Sequence, residues 1–181
     1  TVHENWEDEP DYLPLPGRRH YSPTDFFGGN LWGVAEKLPY IASLGVNCIY
    51  LNPIVLSDSN HRYNTADYME VDPILGGDDA LAYLAKKAEE YGIKLMLDGV
   101  FSHTGDDSVY FDKYSKFGGG ACSDPNSPYR DWYAFREYPK KYRSWWGFED
   151  LPEVDERNSA WQEFVVTGDN SVVKSWLRHG A

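Results

Sequence analysis

Apolar residues recur at helical spacing in three parts of the chain. After Leu31, the apolar positions 34, 38, 41 and 44 share one helix face, and Pro39 limits the regularity of that helix. A second stripe, at positions 81, 84, 85 and 88, follows Asp78 and Asp79, either of which is a suitable N-cap. A third stripe covers positions 172, 173, 176 and 177, so we predict three helices. The glycines expected to end them in a left-handed conformation are Gly45, Gly92 and Gly180.

The first two of these glycines are each followed at once by an apolar run. Residues 46–51 (VNCIYL) and 93–101 (IKLMLDGVF) have the near-continuous apolar character of strands covered on both faces in a parallel sheet. A polar loop, residues 52–77, and the second helix connect them, which makes a right-handed βαβ unit. The third glycine is followed by one residue and no strand. The predicted fold class is therefore α/β.

Two segments have neither a helical nor a strand period. Residues 1–30 contain four prolines, which predict an extended lead-in rather than a helix or a central strand. The residues after His103 are rich in Gly, Ser, Asp and aromatic side chains, and such a long irregular segment is usually functional. We divide the chain into residues 1–103, an inserted segment 104–167, and residues 168–181. The four prolines are Pro10, Pro14, Pro16 and Pro23.

Composition and charge narrow the classes of partner. The 181 residues are 41% hydrophobic and 16% aromatic, which is typical of a globular protein, but a complete (β/α)8 barrel needs about 250 residues. A formal net charge of −12 disfavours nucleic acid and anionic membranes, and a neutral ligand is easier to accommodate. Cys48, in an apparently buried strand, and Cys122, in a Gly-rich loop, lack metal or redox spacing and are predicted to be free thiols.

Polar side chains follow both predicted strands. In parallel α/β folds, ligands bind where strands end and loops begin. The first strand leads to His61 and Tyr63, and the second to Asp98 and His103. Asp98 inside an apolar strand needs an arginine or a hydrogen-bonding partner, either in a buried ion pair or in a site. His103 is either a satisfied core histidine or a site residue, and Tyr63 either stacks on a ligand or fills its loop.

Aromatic residues concentrate in the inserted segment. Trp145 and Trp146, in the sequence WWG, are candidates for stacking on the apolar faces of sugar rings. The alternative is that these rings form the small core of the insert itself. The other aromatic residues of this group are Trp132, Tyr133, Phe135 and Tyr142.

Three stretches of the chain resemble a known family. FFGGNLWGVAEKLPYIASLGVNCIYLNPI, SNHRYNTADY and LMLDGVFSHTG are similar to the α-amylase family of glycoside hydrolases, and most like its neopullulanase and cyclomaltodextrinase branch. The resemblance implies a partial (β/α)8 TIM barrel, in which residues 46–51 and 93–101 are strands two and three with flanking helices. It also implies that residues 104–167 are an irregular inserted subdomain B.

The resemblance assigns expected roles to individual residues. Asp98 matches the aspartate that orders the site around the nucleophile, and His103 a histidine that hydrogen-bonds the sugar before the scissile bond. Tyr63 matches the aromatic platform under that sugar, and His61 a polar wall beside it. Ser102 replaces an asparagine that helps to hold calcium in calcium-dependent members, so no calcium site and no other cofactor are expected there.

The implied activity is hydrolysis of α-1,4 linkages in starch-like α-glucan oligosaccharides, with retention of configuration. The LPEVD stretch at 151–155 resembles a motif usually read as MPKLN, and its differences at Glu153 and Asp155 leave the linkage preference open. The family places its nucleophilic Asp and acid Glu on later strands, beyond Ala181. We therefore expect a fragment that is inactive by itself and self-associates through its open sheet edges. Asp106 and Asp107 are expected to form a solvated turn rather than a catalytic pair.

Two alternatives stay open at this point. A non-catalytic carbohydrate-binding module would explain the aromatic residues, but not the strand motifs. A structural fragment without a function of its own would explain the open fold.

Overall fold

The computed structural model describes residues 2–3, 5, 7–13 and 20–181, and within them it contains ten short strands and five α-helices. The strands are β1 (Val2–His3), β2 (Tyr12–Leu13), β3 (His20–Tyr21), β4 (Phe26–Phe27), β5 (Cys48–Leu51), β6 (Val55–Ser57), β7 (Thr65–Val71), β8 (Lys94–Leu97), β9 (Phe135–Glu137) and β10 (Lys141–Tyr142). The helices are α1 (Leu31–Glu36), α2 (Leu38–Ser43), α3 (Gly77–Glu90), α4 (Ser159–Gln162) and α5 (Val172–Arg178).

Strands β5 and β8 form the predicted parallel pair, in register from Cys48 opposite Lys94 to Leu51 opposite Leu97. Helix α3 joins them, which confirms the βαβ unit. The strands are shorter than predicted, and Asp98 lies one residue beyond β8 rather than inside it. Within the described residues this sheet is open and no barrel closes.

The two faces of this parallel pair differ in exposure, so the prediction that both faces are covered is wrong within the described residues. Side chains alternate between the faces of a strand, so Ile49 and Leu95 pack against the helices whereas Tyr50 and Met96 are 55% and 53% exposed. The prediction that Cys48 is buried is wrong, because Cys48 lies on the exposed face. Side chains two residues apart lie on the same face of a strand, so Cys48 shares the exposed face with Tyr50. The helices cover only the opposite face, which carries Ile49.

The first predicted helix is divided into α1 and α2 at Lys37. The side chain of Asn30 caps α1 by accepting a hydrogen bond from Gly33 N at 3.0 Å. Pro39 occupies the first turn of α2, where its missing N–H costs little. The buried faces of α1, α2 and α3 pack together, through Leu31, Ala35, Leu38, Ala80, Leu81, Leu84 and Ala88.

Neither predicted aspartate caps α3. The helix follows Gly76, which has a φ of 105°, and no side chain caps it. Asp78 and Asp79 lie inside the first turn, where they complement the helix dipole. Asp78 Oδ1 instead accepts a hydrogen bond from Val71 N at 3.3 Å. The left-handed conformations predicted for Gly45, Gly92 and Gly180 are confirmed by φ angles of 79°, 66° and 100°.

The predicted polar loop at 52–77 contains the antiparallel hairpin β6–β7, so its description as a loop was wrong. Polar side chains of the hairpin are buried: Ser57 is 7% and Thr65 1% exposed. The buried hydroxyl of Ser57 is satisfied, because its Oγ donates to the main-chain oxygen of Asn64 at 3.0 Å. The hairpin was therefore hidden from the hydrophobic pattern, because polar residue types occupy buried positions in it.

The lead-in has no helix and no central strand in its described residues. It contains two-residue strands, with β1 parallel to β4 and β2 antiparallel to β3. Pro14 and Pro16, on which part of the prediction rested, lie outside the described residues.

A second core fills the region after His103. Its buried residues include Tyr68 from β7, Phe111 and Trp132 from the irregular segment, and Trp176 from α5. Helix α5 confirms the last predicted helix. It is anchored to β7 by a hydrogen bond from Trp176 Nε1 to the main-chain oxygen of Tyr68, at 3.1 Å. The division of the chain at residues 103/104 and 167/168 stays a prediction. In the described part of the chain, no helix has the length and apolar character needed to cross a membrane.

Candidate functional site

A cavity of about 690 Å³ opens at the carboxyl end of β8. Three parts of the chain form its wall: the β6–β7 connection, the residues that follow β8, and residues 145–156 of the irregular segment. The lining residues are His61, Tyr63, Asp98, Gly99, Val100, Phe101, Ser102, His103, Trp145, Leu151 and Glu156. The structure therefore brings together four of the five predicted site residues.

Asp98 is held by a tyrosine rather than by an arginine. Its backbone N donates to Leu51 O at 3.1 Å, and its Oδ2 accepts a hydrogen bond from Tyr63 Oη at 3.1 Å. Hydrogen bonding to Asp98 raises the phenol pKa of both Tyr63 and Tyr50. Among the described residues Asp98 has no ion-pair partner, so the buried-ion-pair alternative does not hold. The need for a hydrogen-bonding partner is confirmed.

Arg62 turns its two neighbours toward the cavity. It has a φ of 61°, which is unusual for a residue with a side chain, and its guanidinium is buried against Asp72 at 3.2 Å. Burial lowers the pKa of Arg62, and Asp72 partly offsets this effect. His61 and Tyr63 on either side are exposed, with ring centroids 6.1 Å apart. Tyr63 N donates to His61 Nδ1 at 3.1 Å, which leaves Nε2 of His61 to carry a proton toward a ligand.

His103 is buried, and both of its ring nitrogens are engaged. Nε2 lies 3.0 Å from the main-chain oxygen of Tyr63, and Nδ1 lies 2.9 Å from Ser102 Oγ. Since a carbonyl oxygen only accepts, Nε2 carries the proton and Nδ1 accepts from the Ser102 hydroxyl. Burial lowers the pKa of His103, which favours this neutral form. Both interpretations therefore apply: His103 is a satisfied histidine and it lines the cavity.

Ser102 occupies the position at which calcium-dependent members of the family are expected to hold calcium with an asparagine. Its hydroxyl is committed to His103, and a hydroxyl is a weaker calcium ligand than a carboxylate. Ser102 does not fit that role.

Trp145, rather than Trp146, faces the cavity. The Trp145 ring lies 5.2 Å from the ring of His103. Trp146 is 85% exposed, has a φ of 52°, and stacks on the outer face of Trp145 at 5.1 Å. The role of Trp146 in binding stays a prediction. Four other rings of the insert, at positions 132, 133, 135 and 142, belong to the second core or pack against it, as the alternative interpretation proposed.

Glu156 and Tyr50 are neighbours of the site that were not predicted, and Trp145 was predicted only as one of the two rings of the WWG motif. Trp145 could have been found from the WWG motif, whose two rings were equivalent at the level of sequence. Tyr50 points to the side of β5 that alternation leaves uncovered, so the period of two contained that signal. Glu156 carries no local signal, since it reaches the cavity through the path of residues 151–156.

Residues 152–154 lie alongside the residues that follow β8. Thr104 N donates to Pro152 O, and Val154 N to Ser102 O, both at 3.1 Å. Glu153 pairs with Arg143 and does not line the cavity. The LPEVD stretch thus contributes main-chain pairing beside His103.

Asp106 and Asp107 are buried, so their prediction as a solvated turn is wrong. Gly105 N donates to Thr65 O at 2.8 Å and Asp106 N to Asp150 O at 2.9 Å, which draws this turn inside. Asp106 Oδ2 accepts hydrogen bonds from Lys113 Nζ and Tyr114 Oη, each at 2.9 Å. Burial raises the pKa of Asp107 to about 6, and the negative charge of Asp58 adds to this effect.

One group of metal-ligating side chains lies apart from the cavity. In the described residues, ligand atoms of His3, Asp11 and Asp25 lie within 4.8 Å of one another. His3 Nε2 hydrogen-bonds Asp25 Oδ1, and Asp25 Oδ2 accepts from Asp11 N at 2.7 Å. Asp25 is therefore satisfied by protein groups.

Comparisons with known proteins agree on one family. The profile described as "Alpha amylase, catalytic domain" matches residues 4–176. An amylopullulanase of Thermoanaerobacter thermohydrosulfuricus is 40% identical over 97% of this chain and 13% of its own length. A cyclomaltodextrinase of Geobacillus thermopakistaniensis is 44% identical over 68% of this chain and 20% of its own. The solved type III pullulan hydrolase from Thermococcus kodakarensis superposes with a TM-score of 0.78 at 32% identity, over 99% of this chain and 29% of its own. The chain thus spans less than a third of the length of each of these relatives.

Proposed function

Because the chain belongs to the α-amylase family of glycoside hydrolases, we propose that its cavity binds glucose units of an α-1,4-linked glucan. The observation that carries this proposal is the wall formed by His61, Tyr63, Asp98, His103 and Trp145 around one cavity. An exposed ring beside a carboxylate and imidazole nitrogens matches a neutral ligand with many hydroxyl groups. The names of the relatives, amylopullulanase, cyclomaltodextrinase and pullulan hydrolase, support this substrate class.

Each residue has a proposed part in binding. The Tyr63 ring is the platform for one sugar, and its hydroxyl is held in place by Asp98. Nε2 of His61 donates to a sugar hydroxyl. Nε2 of His103 is positioned on the wall and reaches a sugar when its bond to Tyr63 O is exchanged. Trp146 offers an outer face for a more distant glucose unit.

We also propose that the complete enzyme hydrolyses with retention, and that these 181 residues bind without cleaving. Retention needs two carboxyl groups about 5–5.5 Å apart, one of which is a nucleophile. Two carboxylates, Asp98 and Glu156, line the cavity, and one oxygen of Asp98 is bonded to Tyr63. Asp98 therefore suits an orienting role, and the catalytic pair is assigned to later strands by the family resemblance.

The test is a calorimetric titration of the chain with maltotetraose, together with an assay for reducing ends. We expect saturable binding and no release of reducing ends. Tyr63→Ala should weaken binding by about 1.5 kcal/mol, or roughly tenfold in Kd, because the platform is lost. Tyr40→Ala, at a tyrosine that is 64% exposed on α2, is the matched control and should bind normally. Turnover by the wild-type chain, abolished by Asp98→Asn, would contradict the orienting role.

A carbohydrate-binding module is the second candidate, and the exposed Trp145–Trp146 stack favours it. The two candidates differ in which ring matters most. Binding that survives Tyr63→Ala but is lost in Trp146→Ala would favour the module over the hydrolase cavity.

The chain is further proposed to self-associate. In the described residues β5 and β8 pair only with each other, and the exposed face carries Cys48, Tyr50 and Met96. Open strand edges and exposed apolar side chains promote association of copies. Light scattering after size exclusion should show a mass that increases with concentration, and a constant monomer mass would refute this.

A further inference from the structure

A pocket of about 420 Å³ lies beside the amino end of β8, at the opposite end of that strand from the candidate cavity. Three elements meet around it: the second half of α3, the first residues of β8 with the turn before them, and the end of α5. The two helices are in direct contact here, since a Cβ built on Gly180 would lie 2.4 Å from the Cβ of Ala85. The pocket is therefore a feature of how α3, β8 and α5 pack together.

Positive charge concentrates in this pocket. Each of the three elements contributes one cationic side chain: Lys86 from α3, Lys94 from β8 and Arg178 from α5. Among the described residues that line the pocket, Glu89 is the one carboxylate. Three positive side chains thus accompany one negative side chain, although the chain as a whole carries a formal net charge of −12. The pocket therefore differs in sign from the rest of the molecule.

The two lysines of the pocket lack anionic partners. Among the described residues, neither Lys86 nor Lys94 has an ion pair, and Arg178 Nη1 donates to a neutral group, the main-chain oxygen of Asp169, at 3.2 Å. The helix dipole explains Arg178, which lies in the last turn of α5, but not Lys94, which begins a strand. The basic residue in the last turn of α3 is Lys87, which has an ion pair of its own. Lys86 and Lys94 are therefore available to an anionic ligand.

We propose that this pocket binds a phosphate monoester, with its phosphate group between Lys86, Lys94 and Arg178. Arginine binds phosphate through paired N–H groups and lysine through its point charge, and a dianionic phosphate balances three cations better than one carboxylate does. Ile93 and Leu95, which are 3% and 7% exposed, also line the pocket and give it an apolar floor for the carbon skeleton of the ligand. The volume lies within the range of small-molecule sites. The bound ligand links α3, β8 and α5.

The test is a calorimetric titration of the 181-residue chain with glucose 6-phosphate and, separately, with inorganic phosphate, at an ionic strength held constant with NaCl. We expect saturable binding of one glucose 6-phosphate. Its affinity should be several-fold higher than that of inorganic phosphate, because the carbon skeleton adds contacts with the floor. No heat of binding up to roughly 10 mM glucose 6-phosphate would overturn the proposal, and so would an affinity no higher than that of inorganic phosphate.

Variants at exposed positions locate the site without disturbing the core. Lys94→Gln and Arg178→Gln should each weaken binding roughly tenfold, whereas Glu89→Gln should tighten it several-fold by removing the negative charge of the lining. Lys140→Gln is the matched control, because Lys140 is an exposed lysine that does not line the pocket. Equal weakening in Lys140→Gln would show that only net charge matters, and would refute the site. An unchanged affinity in Lys94→Gln or in Glu89→Gln would also refute it.

Discussion

Residues 31–101 and residues 102–167 meet at the candidate cavity but are held together by different interactions. In the first region, helices α1 to α3 pack against one face of β5 and β8, and Leu84 and Leu95 are typical of the contact. In the second region, regular structure is sparse. Stacked rings around Phe111 and buried polar groups such as Asp112 replace it. The first region leaves a sheet face exposed, whereas the second buries a cluster of aromatic rings that includes Phe111 and Trp132. Periodicity therefore predicts the helices and the parallel strand pair of the first region, but neither its β6–β7 hairpin nor the second region.

Phe111→Ala should have the largest effect. Phe111 is fully buried, and its ring lies within 5.7 Å of those of Tyr133, Phe135 and Tyr142. Loss of the ring leaves a cavity among aromatic groups, so the free energy of unfolding should fall by about 3–5 kcal/mol. Urea denaturation measures this, with the exposed Phe117→Ala as control. A loss below about 1 kcal/mol would mean that the second region is not organised around its rings.

Substitutions at adjacent positions of β8 test the difference between the two sheet faces. Leu95 is 7% exposed toward the helices, and Met96 is 53% exposed on the other face. Leu95→Ala should lower the free energy of unfolding by about 2–3 kcal/mol, and Met96→Ala by less than about 0.5 kcal/mol. Equal losses in a urea titration at low protein concentration would show that the second face is covered in solution, as self-association requires.

The same contrast explains which features were predictable. Helix α3 follows an apolar stripe with a spacing of three to four residues, and the β5–β8 pair follows two short apolar runs, so residues close in sequence are sufficient to predict both. The hairpin at 55–71 was missed because Ser57 and Thr65 are polar and yet buried. The bond between Tyr63 and Asp98 joins residues 35 positions apart, and no local pattern contains it. Trp145 and Trp146 are adjacent, and no local pattern distinguishes the ring that lines the cavity from the exposed ring.

Asp112→Asn should show how far hydrogen bonds replace periodicity in the second region. Asp112 accepts hydrogen bonds from Ser123 Oγ and from the backbone N of Lys116, Phe117 and Gly118. Burial alone would raise its pKa, but these donors outweigh burial and lower the pKa below the ordinary value of 3.8. In Asp112→Asn, an NH₂ group replaces one carboxylate oxygen and faces hydrogen-bond donors. The free energy of unfolding at pH 7 should therefore fall by about 2 kcal/mol.

The pH dependence of the stability lost in Asp112→Asn follows from the direction in which the pKa of Asp112 is shifted. Because the folded-state pKa is depressed, the stabilisation by Asp112 is present above pH about 4 and is lost as the pH falls through the folded-state pKa. The difference between the wild type and Asp112→Asn, measured by urea denaturation, should therefore be constant from pH 5 to 8 and shrink below about pH 4. A difference that grows on acidification would contradict the assignment.

Among the buried side chains, the smallest expected loss of stability is that of Tyr68→Phe, at the junction of the two regions. Tyr68 is fully buried in β7, and its hydroxyl donates toward the main-chain oxygens of Val100 at 2.6 Å and His103 at 2.8 Å. Its loss should cost about 1 kcal/mol. The more specific consequence is local, since the residues after β8 lose the contact that holds His103 in the cavity wall. Hydrogen exchange of the amides from 99 to 104 should therefore accelerate more than exchange elsewhere.

Tyr110→Phe is the matched control for that local effect. The Tyr110 hydroxyl is also buried, and it accepts from Tyr68 N at 3.2 Å and donates to Asp67 Oδ1 at 2.8 Å without contacting the residues after β8. The two variants should lose similar stability, but only Tyr68→Phe should loosen residues 99–104 and weaken oligosaccharide binding. If both variants accelerate exchange there equally, the two regions unfold as one unit, and the position of His103 depends on the whole second core rather than on one hydroxyl.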